Sequence, residues 1–142
     1  MAVSRAMRRL LRVREMEEEQ TRAALESAVG EKKRMESALL AARERERGGR
    51  RLVTASVMTG ELTDRLAGVE EIRAGARRAE MLAPRIAAAE EIVGARRQEF
   101  LAKRIERRQV ESLIGKMEAA DAAEAGRRAQ RDLDDWVLGR AR

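Results

Sequence analysis

Apolar side chains recur at alternating steps of three and four along most of this chain, which has almost nothing with which to fill a thick core. Aromatic residues make up 1% of it and charged residues 39%, and the only aromatics are Phe100 and Trp136. A three–four repeat puts one narrow apolar stripe on one side of an α-helix. Such a stripe is buried most directly against a second stripe of the same kind. A compact globular core normally draws on several buried aromatics. The pattern predicts an all-α fold, a long antiparallel two-helix coiled-coil hairpin with unequal helices, whose work is contact and not chemistry.

The first helix is read over about residues 4–47. Its stripe steps through Met7, Leu11, Arg14, Glu18, Thr21, Leu25, Ala28, Lys32, Met35, Leu39 and Ala42. Polar residues weaken it between Arg14 and Thr21. Ser4 is of the type that caps a helix start, and Gly30 is tolerated at a cost of about 1 kcal/mol. The run then meets Arg47-Gly48-Gly49-Arg50. Beyond it come Val53, Thr54, Ser56, Val57 and Thr59, β-branched and hydroxyl residues that form helix poorly. The reversal is therefore expected over about residues 48–59, with Thr59 capping the next helix. The alternative carries the first helix through this stretch and turns it near Gly60.

The second helix is read over about residues 60–138. Its stripe runs from Leu62, Leu66, Val69, Ile72, Ala76 and Ala79 through Leu82, Ile86, Ala89, Val93, Arg97 and Phe100. It continues through Arg104, Arg108, Val110, Leu113, Met117 and Ala120. Pro84 falls inside it. A proline there removes the bond to the Glu80 carbonyl and costs about 3 kcal/mol, or it opens a new helix at its first turn. The phase held from Ala79 through Leu82 to Ile86 favours a kink. Helices of about 44 and about 75 residues would share a rod of roughly 65 Å, with the second overhanging. Two strands bury little surface, so the stability of such a hairpin is expected to be marginal and to rise with a bound partner.

The same composition argues against catalysis. The chain has no His and no Cys, which removes the commonest general base and the best thiolate nucleophile. Acid runs such as Glu17-Glu18-Glu19 and Glu90-Glu91 lie on solvated faces with no pocket to shift their acidity. No glycine-rich phosphate loop is present. Neither an enzyme, a cofactor nor a metal site is expected. No apolar run approaches the roughly 20 residues of a membrane span. No apolar segment of a cleavable signal follows Arg5, Arg8 and Arg9. A cytoplasmic chain without membrane insertion is the expectation.

There are 31 basic and 25 acidic residues, a net charge of +6. The bases gather in Arg5-Arg8-Arg9-Arg12, in Arg43-Arg45-Arg47-Arg50-Arg51, and from Arg96-Arg97 to Lys103-Arg104-Arg107-Arg108. Clustered arginine neutralises phosphate, so nucleic acid is one reading. Interrupting acids (Glu44, Glu46, Glu99 and Glu106) and the lack of an aromatic stacking platform weigh against it. Solvated faces and contact with acidic protein surfaces account for the clusters better. Trp136 either folds back as a cap near Met7 and Leu10 or serves as an anchor in a partner's pocket.

Two stretches carry a family resemblance. Met7-Arg8-Arg9-Leu10-Leu11-Arg12-Val13-Arg14-Glu15 resembles the start of the FliJ/YscO family, coiled-coil proteins of flagellar and injectisome type III export. The stretch Phe100-Leu101-Ala102-Lys103-Arg104-Ile105-Glu106-Arg107-Arg108-Gln109-Val110-Glu111-Ser112-Leu113 is similar to that family's charged segment late in the second helix. The acidic, Trp-containing end fits as well. The resemblance implies a stalk like the central subunit of rotary ATPases, peripheral to the membrane-embedded export machinery. It implies that the paired terminal ends enter the hexameric export ATPase and that the hairpin tip meets the export gate, with a link to export chaperones. On that reading Met7, Leu10, Leu11, Val13, Val110, Leu113, Met117 and Trp136 belong to the ATPase side. Leu39, Leu40, Leu52, Val53, Leu62, Leu66 and Val69 belong to the tip and gate side. The tip here departs from better-known flagellar members in having no Tyr or Phe. A generic self-associating coiled-coil scaffold or adaptor, and an Arg-rich nucleic-acid-binding helical protein, are the competing readings.

Overall fold

The computed structural model describes residues 3–141. Their regular structure is two helices, α1 (Arg5–Thr59) and α2 (Leu62–Arg140), packed as an antiparallel hairpin. Ser4 caps α1 as its type suggests. The Met7 amide donates to its Oγ at 3.1 Å, which satisfies a donor that has no partner within the helix, and the Arg8 amide makes the first helical bond to its carbonyl at 3.2 Å.

The first helix does not end at Arg47, and residues 48–59 are not the connection. α1 runs through Gly48 and Gly49 and on to Thr59. The hydroxyl residues there bond back onto the preceding turn instead of breaking it. Thr54 Oγ1 donates to the Arg50 carbonyl at 2.9 Å, Ser56 Oγ to Val53 at 2.7 Å and Thr59 Oγ1 to Ala55 at 3.3 Å. The reversal belongs to Gly60, at φ +73°, a left-handed conformation that glycine adopts without penalty. Its amide returns to the Ser56 carbonyl at 2.8 Å, closing α1 as a left-handed C-terminal cap does. Glu61 follows, and its carbonyl accepts from Arg65 at 3.3 Å.

The helices contribute to two compact units, one of Met1–Arg22 with Glu99–Arg142 and one of Ala23–Gln98. In the second unit most buried positions are one heptad apart on each helix. Ala42, Gly49 and Ser56 follow this spacing on α1, and Gly68, Gly75, Leu82 and Ala89 on α2, where Val93 is buried as well. Several have almost no side chain, and the backbones close the gap. A β-carbon added to Gly49 would lie 2.6 Å from the Gly68 carbonyl oxygen. One on Gly68 would lie 2.7 Å from that of Gly49, and one on Gly75 would lie 2.6 Å from that of Ala42. This contact outweighs the local cost of about 1 kcal/mol for each helical glycine. It also displaces two residues expected on the stripe. Leu62 and Leu66 are 65% and 62% exposed, and the seam passes through Gly68 and Gly75 instead, with Ile72 at its expected place. α2 continues through Pro84 without a new start, and Leu82, Ile86 and Ala89 keep their phase.

The first unit buries Val3 and Val110, with Met7, Leu11, Phe100, Ile114 and Met117 half-buried. Ile114 takes the seam position expected for Leu113, which is exposed. From Ala125 to Ala141 every residue of the chain is exposed.

Candidate partner-binding surfaces

In the first unit the weak stretch of the stripe is filled by charge. Arg14 Nη1 donates to Glu17 at 3.1 Å and to Glu106 of α2 at 3.0 Å. Lys103 Nζ reaches Glu17 at 3.4 Å and Glu106 at 3.3 Å. Arg107 pairs with Glu18 across the seam and with Glu111 at 2.7 Å. The hydrogen bond from Arg14, helped by the Lys103 charge, holds the Glu17 carboxyl below its usual range. Glu106 beside Lys103 raises the ammonium, and Glu18 and then Glu111 raise the Arg107 guanidinium. These groups already hold counter-charges, so they can fix register across the helices and are poorly placed for acid–base work. On α2 Glu106 meets Arg14 and Arg107 meets Glu18, and the half-buried Lys103 and Arg107 stand one residue ahead of the expected Arg104 and Arg108.

The same unit contains all the residues implied for the ATPase side. Leu10, Val13, Leu113 and Trp136 are exposed, and Met7, Leu11 and Met117 are half-buried. Val110 is only 6% exposed and belongs to the seam. Trp136 is not a buried cap. It is 57% exposed, with the Arg140 guanidinium 4.5 Å above its ring centroid, a cation–π contact within one helical turn. Leu133, Val137 and Leu138 beside it are exposed too.

The second unit contains the residues implied for the tip side. Leu40, Leu52, Leu62 and Leu66 are exposed, while Leu39, Val53 and Val69 are half-buried. Sequence reasoning missed Val57 and Met58, which flank the Gly60 turn. Met58 is 87% exposed, the highest among the exposed large apolar residues. Reading 48–59 as a loop hid them, because an apolar residue in a loop carries no periodic signal.

The central Arg cluster is largely paired with acids of its own chain. Arg45 forks onto Glu71 at 2.8 and 3.0 Å. Arg47 and Arg51 share Glu44, and Arg50 reaches Glu46 at 2.6 Å. Among the described residues no helix is long and apolar enough to cross a membrane, and no acidic cluster has the geometry to hold a metal ion.

A family model described as the flagellar FliJ protein matches residues 4–142. No curated protein and no solved structure matches the chain.

Proposed function

We propose, since this chain belongs to the flagellar FliJ protein family, components of flagellar type III export, that it acts there as a non-catalytic stalk. The family match over residues 4–142 carries the reading. In the proposal the ends of the hairpin contact the hexameric export ATPase in the cytoplasm. The turn meets the export gate, and export chaperones are further partners. Exposed apolar residues support it at both places: Leu10, Val13, Leu113 and Trp136 in one unit, and Met58, Leu62 and Leu66 in the other. Aromatic and aliphatic side chains left in water are the usual anchors of a protein interface. Exposed ion pairs contribute only about 0–1 kcal/mol each. Many such weak contacts let a stalk turn against successive ATPase subunits without locking.

The test is stimulation of the purified export ATPase by the full chain and by a variant lacking residues 1–6 and 121–142. The reading expects the stimulation to disappear while far-UV circular dichroism still reports a folded hairpin. Full stimulation by the shortened chain would refute the terminal contact.

A further inference from the structure

We infer that the second unit carries a lateral docking groove for an amphipathic partner helix with an acidic flank. The groove is distinct from the terminal and turn residues named above. Along one face of the helix pair, residues 24, 31, 38 and 45 of α1 and 78, 85 and 92 of α2 are each one heptad apart. All of them line one of two successive depressions. The larger has a volume of about 460 Å³ and the smaller about 220 Å³. The larger is floored by Ala24, Ala28, Ala88 and Ala89 and walled by Met35 and Ile92. Ile92 is 52% exposed. A groove this long, open and poor in convergent polar groups suits an extended helix better than a small molecule, whose sites enclose most of the ligand.

Charge on the rims selects the helix. Arg78 and Arg85 stand on the α2 rim, exposed and without an ion pair among the described residues. Seven residues of helix separate them, about 10.5 Å along the axis. No acid of α2 lines either depression. On the α1 rim Arg45 is neutralised by Glu71, which leaves Glu31 as the free charge. An occupant with carboxylates one heptad apart along the α2 side, and none facing Glu31, complements both rims. The opposite charge pattern is repelled at each. The rims thus set the polarity of the helix as well as its sign.

The probe is a fluorescent designed three-heptad peptide with a Leu/Ala stripe and Glu one heptad apart on one flank. A twin carries Lys at those positions. Anisotropy titrations of the full chain should show the Glu peptide binding at least tenfold more tightly than the Lys peptide, with the gap narrowing as salt screens the rims. Arg78→Gln with Arg85→Gln should abolish the preference, and Arg78→Glu with Arg85→Glu should reverse it. These side chains are exposed, so the hairpin should persist, and helicity is measured alongside. Ala88→Arg, also at an exposed position, should block both peptides. Equal affinity for the two peptides, a preference that survives the arginine changes, or no binding of either peptide would overturn the inference. So would a concentration-dependent dimer abolished by Ala88→Arg, since a second copy would then be the occupant. The outcome is independent of the ATPase assay, and either reading can fail alone.

Discussion

Replacing Gly75 by Ala isolates the backbone contact that holds the second unit together. In a solvent-exposed helix the change gains about 1 kcal/mol, because glycine has more conformational freedom to lose. Gly94, in the same helix and the same unit, has nothing within 4 Å of its added β-carbon, so Gly94→Ala should keep that gain. At Gly75 the new carbon would sit 2.6 Å from the Ala42 carbonyl oxygen and 2.9 Å from the Glu46 amide nitrogen. Close C···O contacts extend down to about 3.3 Å, so the helices must part locally by roughly 0.7 Å. A gap of that size forfeits about a quarter to a half of each dispersion well around it. Overpacking of this kind costs about 1–3 kcal/mol. Backbone atoms, unlike the end of a flexible side chain, cannot swing aside. The parting also strains the Arg45–Glu71 fork one turn away, but that pair is exposed and adds little. Gly75→Ala should therefore fall about 1–3 kcal/mol below Gly94→Ala in urea unfolding followed by circular dichroism. Helix propensity cancels in this comparison. Equal midpoints for the two variants would refute the claim that α1 and α2 meet backbone to backbone.

Two further outcomes follow from the same geometry. Pro84 interrupts the hydrogen bonding of α2 without ending it, so Pro84→Ala should return an amide to the Glu80 carbonyl. It should raise stability by up to about 3 kcal/mol, and an unchanged urea midpoint would mean that α2 has already absorbed the loss. Glu17, Glu44 and Glu71 are each held below the ordinary carboxylate range by a neighbouring arginine. Their folded-state affinity for protons is lower than in the unfolded chain, where a glutamate titrates near about 4.3. The stability they contribute is thus complete above that value and is lost as pH falls through the lowered one. Thermal melts from about pH 6 to about pH 3 should show this decline, and Glu17→Gln should make it shallower. A variant with the parent's full acid dependence would remove Glu17 from the account.

The long stripe of α1 was legible because its period survives the residues that violate it. Arg14, Glu18, Thr21 and Lys32 all lie half-buried where a step of three or four puts them. Hydropathy alone would have rejected them. The turn was legible only as an alternative. Gly48-Gly49 looks locally like a helix end, and the reason it is not lies on α2, at Gly68 and Ile72. Leu62, Leu66 and Leu113 were placed on the stripe because leucine outranks glycine in any apolar pattern. The seam instead uses Gly68 and Gly75 in one unit and Ile114 in the other. A sequence shows what each residue would gain by burial, but not how near the opposing backbone will come. Of the candidate partner residues, exposure is consistent with Leu10, Val13, Leu113 and Trp136 meeting another protein, whereas Val110 is used internally. The groove beside Ala24 and Ala88 was not legible, because it is made by the absence of side-chain volume on two distant stretches of chain.

The contacts of Gly49 with Gly68 and of Ala42 with Gly75 also act as an address. In a chain dominated by Ala, Arg, Glu and Leu, one heptad reads much like the next, and hydrophobicity alone would accept several alignments of the two helices. Size does not. Sliding α2 by one heptad would set Leu82 against Ala42, at a place where the closest approach leaves room only for hydrogen. Three glycines thus encode in steric terms which residue faces which, a message that the repetitive charge and apolar patterns cannot carry.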